Sequence, residues 1–230
     1  MKTKLLNVIN NPELIVMLTH NDRTVENAFE IFEQCKNSKA KLWGFKEKGL
    51  SLERMKDLYA KMKEYDKTTI LEVVEYTEKE CIEGAKMAVE CGCDILMGTI
   101  FFDSVNESCK EHNLKYMPFV GKVTERPSIL EGTVDMMVEE ANRYNEKGVY
   151  GFDLLGYRYT GNAYALIEKF VSQVNNPVCI AGSINSYERL DEVKKAGAWA
   201  FTIGGAFFEN KFDGTHSEQI DKVCEYINSH

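Results

Sequence analysis

The sequence predicts one α/β domain over residues 1–230, folded as a single (β/α)8 TIM barrel. Three observations carry this expectation. Short apolar runs alternate with amphipathic segments eight times, at a period of roughly 29 residues, which is the pattern of a parallel sheet with right-handed crossovers. The length of 230 residues lies just under the roughly 250 residues typical of one barrel. The last two units end their strands in small-residue loops, Ile180-Ala181-Gly182-Ser183 and Ile203-Gly204-Gly205-Ala206. Glycine lets a backbone approach a phosphate closely, and N–H groups at a helix start attract its charge; the alternative is that these glycines are only tight turns. An open doubly wound sheet would place a glycine-rich loop at its first strand–helix turn. Here that turn is Thr19-His20-Asn21-Asp22, without glycine.

Taken in order, residues 13–20 contain the continuous apolar run of a strand buried on both faces. Residues 21–24 read as a turn and helix start, with Asp22 and Thr24 as candidate caps, and 25–35 as the first helix. The second strand is 41–46 and its helix 52–65, begun by Ser51 as N-cap. The third strand is 69–76, followed by a helix over 78–91 capped by Thr77. The fourth strand is 94–102, with a short helix over 105–112. The fifth strand is 115–123, followed by a loop over 124–132 and a helix over 133–146. The sixth strand is 149–155, then a loop over 156–161 and a helix over 163–174. Between the two glycine loops, 186–196 is amphipathic, with Leu190, Val193 and Ala196 on its apolar side. Residues 217–227 close the chain as a helix.

Composition narrows the function class. A net charge of −8 without a basic run argues against nucleic-acid binding. No apolar run approaches the roughly 18 residues of a membrane span, and no signal-peptide core opens the chain. The 7 cysteines are scattered without framework spacing, as reduced thiols of a cytoplasmic protein are. Cys91-Gly92-Cys93 reads as a pair of buried small hydrophobes rather than a redox or metal pair. The 4 histidines have no ligand spacing. No metal and no cofactor is expected; the expected partner is a small phosphorylated metabolite, with a homodimer as the assembly to test.

Barrel active sites lie at the carboxyl ends of the strands. Position therefore nominates His20 and Asp22 after strand one, Lys46 on strand two, Glu72 and Glu75 on strand three and Thr99 on strand four. It adds Lys122 on strand five, Asp153 on strand six, Tyr157 and Arg158 after it, and Ser183 after strand seven. An ionisable group in an apolar strand is costly to bury without a partner or a task. Lys46, Glu72, Lys122 and Asp153 are the clearest instances; a purely structural ion-pair layer filling the barrel is the alternative. Glu72 and Glu75 are three apart and face opposite sides of a regular strand, so one of them faces the interior.

Gly156-Tyr157 with Thr160, the run Pro177 to Gly182, and the run Ala198 to Ala206 together resemble the N-acetylmannosamine-6-phosphate 2-epimerase family. More broadly they resemble the ribulose-phosphate-binding barrels. The likeness covers the last third of the chain. It implies a phosphate site at Gly182, Ser183, Gly204 and Gly205, with Lys46 in Trp43-Gly44-Phe45-Lys46 at the place of the family's catalytic lysine. Strand seven departs from the family, reading Ala181-Gly182-Ser183 where the family has Ala-Glu-Gly with a catalytic glutamate.

Three functions follow as expectations. The first is a metal-independent isomerase or epimerase of a small phosphorylated sugar, with Lys46 as acid/base and Asp153 or a strand-three glutamate as partner. The second is a class I aldolase that forms a Schiff base on Lys122. The third is a barrel without catalysis that senses a phosphorylated metabolite.

Overall fold

Apolar strand runs and capped helices close into the expected (β/α)8 barrel. The computed structural model describes residues 11–229, so the outermost parts of the domain read over 1–230 lie outside the described residues. Strand β1 (Glu13–Met17) leads into a small hairpin, β2 (Thr19–His20) and β3 (Arg23–Thr24), and then α1 (Ala28–Cys35). Next come β4 (Leu42–Lys46), α2 (Leu52–Glu64), β5 (Thr68–Val73), α3 (Glu78–Cys91), β6 (Ile95–Gly98) and α4 (Asp103–Glu111). Strand β7 (Lys115–Met117) is followed by a hairpin, β8 (Lys122–Thr124) and β9 (Ile129–Glu131), and by α5 (Val134–Glu146). The chain finishes with β10 (Phe152–Leu154), a 3-10 turn (Gly156–Arg158), α6 (Ala163–Gln173), β11 (Val178–Ile180), α7 (Tyr187–Ala196), β12 (Ala200–Ile203), α8 (Gly205–Phe208) and α9 (His216–Ser229).

Helix boundaries follow their caps. The hydroxyls of Ser51, Thr77 and Ser186 accept from Arg54 N, Glu80 N and Arg189 N, satisfying donors that a helix start leaves unpaired. Gly197 ends α7 in the left-handed conformation, the one a C-terminal glycine adopts at least cost.

Eight strands pair in parallel in the order β10-β11-β12-β1-β4-β5-β6-β7. The seam between β7 and β10 closes through Tyr150 N to Tyr116 O at 2.9 Å, Asp153 N to Pro118 O at 3.1 Å and a parallel bridge between Phe119 and Asp153. Alternate residues then divide into two cores. One lies between strands and helices; the other fills the barrel with Ile15, Met17, Leu42, Ile70, Ile95, Met97, Met117, Cys179 and Ala200. Register carries this inner set upward: Gly44 pairs with Ile70 and Lys46 with Glu72.

Three expectations are corrected. The fifth strand does not run over 115–123: Pro118 has no N–H for a ladder, the barrel strand stops at Met117, and Lys122 begins the separate β8–β9 hairpin. That hairpin also fills the segment 124–132 read as a loop. Residues 21–24 do not start a helix. They turn back as β3, and Thr24 Oγ donates to Lys46 O at 2.7 Å and accepts from Lys46 N at 3.0 Å.

Gly84 marks a close approach of α3 to β5, since a Cβ there would lie 2.4 Å from Val73 Cγ1. Alanine would gain up to about 1 kcal/mol in helix propensity, but overpacking against a stiff valine costs about 1–3 kcal/mol. Gly84→Ala is expected to be destabilised on balance. Urea unfolding measures this, and an unchanged or higher midpoint would contradict the packing described.

Candidate active site

The two-residue repeat of β4 and β5 decides which ionisable groups meet. Counting up from Leu42 and Gly44 puts Lys46 inside the barrel rim, and counting up from Ile70 puts Glu72 beside it. Lys46 Nζ lies 3.7 Å from Glu72 Oε1 and forms a hydrogen-bonded ion pair with Asp22 Oδ1. Asp22 reaches this position because the β2–β3 hairpin is bonded to Lys46 itself through Thr24. Burial alone would lower the Lys46 pKa, and it is the largest single effect. The charge of Glu72 and the hydrogen bond and charge of Asp22 together outweigh it, so Lys46 is held above the ordinary lysine value. Lys46 is therefore a resident cation.

These groups form the floor of a cavity of about 320 Å³ at the carboxyl ends of the strands. Its other walls include His20, Arg158, Gly182, Ser183, Gly204, Gly205 and Glu209. The loop after β11 is bent by Gly182 (φ +85°) and Ser183 (φ +57°). Gly204 precedes α8, whose first N–H groups have no partner within the helix. A Cβ on Gly204 would lie 2.8 Å from Thr19 O, so close packing against the first loop requires glycine there. His20 stacks on Phe208 and stands 4.0 Å from Glu209, whose other oxygen is 3.6 Å from Lys211.

A cation that carries no motif completes the rim. Arg126, at the tip of the β8–β9 hairpin, lies 2.7 Å from Glu47, 3.3 Å from Glu75 and 3.6 Å from Asp22, and donates to Val74 O. Pro127 and Ser128, from the same tip, line the cavity. Tyr76 OH donates to Glu125 O at 2.5 Å and lies 3.1 Å from Ser128 Oγ, holding the tip over the barrel mouth. Sequence reasoning missed Arg126 because a residue in a presumed loop has no positional signal. Asp22 had one, its place after the first strand.

Asp153 lies below the floor, 0% exposed, and both its carboxyl oxygens are without a hydrogen-bond partner. Burial, reinforced by the Glu72 charge and opposed by Lys46, holds its carboxyl well above the usual carboxylate range. Its surroundings favour the uncharged acid over the carboxylate; it stands at the register position of Cys179 and does not line the cavity. Lys46 forms its ion pairs with Asp22 and Glu72 instead.

Four other expected residues lie elsewhere. Glu75 stands on the rim, 2.8 Å from Lys48 and bound to Arg126, which settles Glu72 as the interior glutamate. Lys122 is 69% exposed and ion-paired to Glu131 at 2.8 Å, a hydrogen bond that raises its pKa. It lacks the desolvation a Schiff-base lysine needs, and the β8–β9 hairpin carries it away from the barrel interior. Thr99, buried with φ +65°, shares a 2.6 Å hydrogen bond with Tyr116 OH. Tyr157 donates to Glu192 at 2.7 Å beneath the Arg189 guanidinium, outside the cavity.

No protein-family model matches the chain, and no curated protein matches it in sequence. Among solved structures it is similar to orotidine 5'-phosphate decarboxylase from Pyrococcus horikoshii, with TM-score 0.71 and 16% identity over 94% of this chain and 100% of that one. It is similar to N-acetylmannosamine-6-phosphate 2-epimerase from Clostridium perfringens, with TM-score 0.63 and 16% identity over 94% and 93%. A third is a glycerol uptake operon antiterminator regulatory protein from Listeria monocytogenes, with TM-score 0.59 and 15% identity over 85% and 93%. At these identities the likeness establishes the fold. The barrel resemblance drawn from the last third of the chain is borne out at that level.

The buried acid gives a pH signature. The Asp153 pKa is raised on folding, so its contribution to stability is complete below its unfolded pKa of about 4 and is lost as pH rises toward the folded value. Asp153→Asn removes this loss. Chemical denaturation of the two proteins should show the variant gaining on the parent from pH 4 to pH 8; a parent that gains on the variant over that range would mean Asp153 is ionised in the fold.

Proposed function

We propose that the chain is a metal-independent isomerase or epimerase of a small phosphorylated sugar. The observation that carries this reading is the protonated Lys46 held between Asp22 and Glu72, in the same cavity as the two glycine loops. The phosphate is received by backbone N–H groups around Gly182, Ser183, Gly204 and Gly205. The substrate carbonyl oxygen faces the Lys46 ammonium. Among the two carboxylates, Asp22 is occupied on both oxygens, by Lys46 and by Arg126, while Glu72 has only the longer 3.7 Å pairing through Oε1. Glu72 is therefore the base and Asp22 the residue that positions Lys46.

Glu72 takes the proton from the carbon next to the carbonyl. The C–H electron pair forms the new C=C bond, the carbonyl π pair moves to oxygen, and Lys46 stabilises the resulting enolate. For isomerisation the enolate oxygen takes a proton from solvent, the neighbouring hydroxyl gives one up to solvent as it becomes the new carbonyl, and the C=C pair takes the Glu72 proton at the former carbonyl carbon. For epimerisation the enolate collapses back to the original carbonyl as the C=C pair takes a water proton on the face opposite Glu72. Lys46 does not serve as the first base, because its surroundings keep it protonated. A cytoplasmic location is supported by free cysteines throughout the described residues. No helix among them is long and apolar enough to cross a membrane.

A sensing barrel is the second reading, favoured by the likeness to the antiterminator regulatory protein. One experiment separates the two. Phosphorylated ketoses, aldoses and amino sugars are incubated with the protein in deuterium oxide, and binding is followed in parallel by thermal shift. The enzyme reading expects deuterium next to the carbonyl of one of them. Lys46→Met or Glu72→Gln should then slow exchange by roughly 10²–10⁴-fold, the usual worth of an acid or base. Ligands that bind without exchange would support the sensor, and a borohydride-trapped adduct on Lys46 would redirect the assignment to a lyase.

A further inference from the structure

We infer that Arg158 is the side chain that recognises the substrate's anionic end, and that Gly182, already favoured as glycine by its φ of +85°, also leaves the space that seats it. This deepens, and rests on, the phosphate reading above. The cations around the cavity are otherwise engaged. Lys46 is held by Asp22 and Glu72, and Arg126 by Glu47, Glu75 and Asp22. Arg189 donates to Ser183 O and to Asn185 Oδ1 at 3.2 Å. Arg158 has no side-chain hydrogen bond or ion pair among the described residues, in a chain with 36 acidic and 28 basic side chains. A half-buried guanidinium left unpaired in an acidic protein, facing a cavity, is a site for an anion from outside.

The backbone around it is fixed. Arg158 N donates to Leu155 O at 3.0 Å, and its neighbours are tied by Tyr157 OH to Glu192 at 2.7 Å and by Tyr159 OH to Gly132 O at 2.8 Å. Its aliphatic stem lies over Gly182: a Cβ there would be 2.6 Å from Arg158 Cγ and 3.5 Å from both Cδ and Nε. Any other residue at 182 would push the stem away from the Gly182-Ser183 loop, which lines the same cavity. A planar fork on one side and backbone N–H groups on the other suit a tetrahedral dianion, so the ligand class is a terminal phosphate monoester.

The test titrates inorganic phosphate, at constant ionic strength, into the parent and into Arg158→Gln, Arg158→Lys, Gly182→Ala and Lys122→Gln, with the fold of each checked by thermal unfolding. Loss of a charge-assisted pair should weaken binding about ten-fold or more in Arg158→Gln. Arg158→Lys should fall between Arg158→Gln and the parent, because it keeps the charge and loses the fork. Lys122→Gln, which removes a cation from an exposed hairpin, should match the parent. Gly182→Ala should weaken binding in the parent background and have no further effect when combined with Arg158→Gln. Parent-like binding by Arg158→Gln, or equal weakening in Lys122→Gln, overturns the role of Arg158 and leaves the glycine-loop site standing. An additive Gly182→Ala effect overturns the seating role. A parent that shows no saturable phosphate binding overturns this inference together with the phosphate assignment, while the exchange test on Lys46 and Glu72 still decides the chemistry.

Discussion

An ammonium group inside a barrel rim must be surrounded by negative charge, and much of this protein's upper layer follows from that requirement. Lys46 is placed inside by the alternation of β4, directly opposite Glu72 on β5. One carboxylate beside a desolvated lysine leaves hydrogen-bonding capacity unmet. The chain supplies the second, Asp22, by turning back after β1 into a short hairpin whose Thr24 is bonded to the lysine's own backbone. A segment that would otherwise begin a helix is thus committed to the site.

That commitment spreads outward. Asp22, Glu47 and Glu75 bring three carboxylates to neighbouring strand ends, and Arg126 meets all three from the tip of the β8–β9 hairpin. The base of the hairpin is held by apolar packing, with Val123 and Leu130 buried. Its tip is held by polar contacts from Arg126 and Tyr76. The roof of the cavity therefore depends on electrostatics set by its floor, an arrangement in which charge balance and access to the site are linked.

The interior below the floor follows another logic. Methionine and cysteine fill the barrel at Met17, Met97, Met117 and Cys179, side chains that adapt to irregular space. Asp153 is buried near them where desolvation favours its uncharged form, which lessens the cost of a buried charge but leaves its polar atoms unsatisfied. It lies beneath Lys46 and Glu72 without entering the cavity, so its influence on them passes through the electric field.

Much of this was legible in the sequence. Eight alternating units, the caps Ser51 and Thr77, and the glycine loops after the last two strands are local signals, set by hydrogen-bonding and backbone rules that act within a few residues. They fixed the barrel and nominated Lys46, His20, Arg158, Gly182, Ser183, Gly204 and Gly205, all of which line one cavity. What only the tertiary structure decided were matters of register and of distant contact. Whether Glu72 or Glu75 faces inward depends on pairing across strands, which a single strand does not encode. Lys122 looked like a barrel residue because an apolar run reads the same on either side of Pro118, yet the barrel strand ends at Met117 and the chain resumes as a hairpin. The meeting of Arg126 with Asp22 joins residues about a hundred positions apart. No local pattern specifies such a contact; it exists only once the barrel has closed.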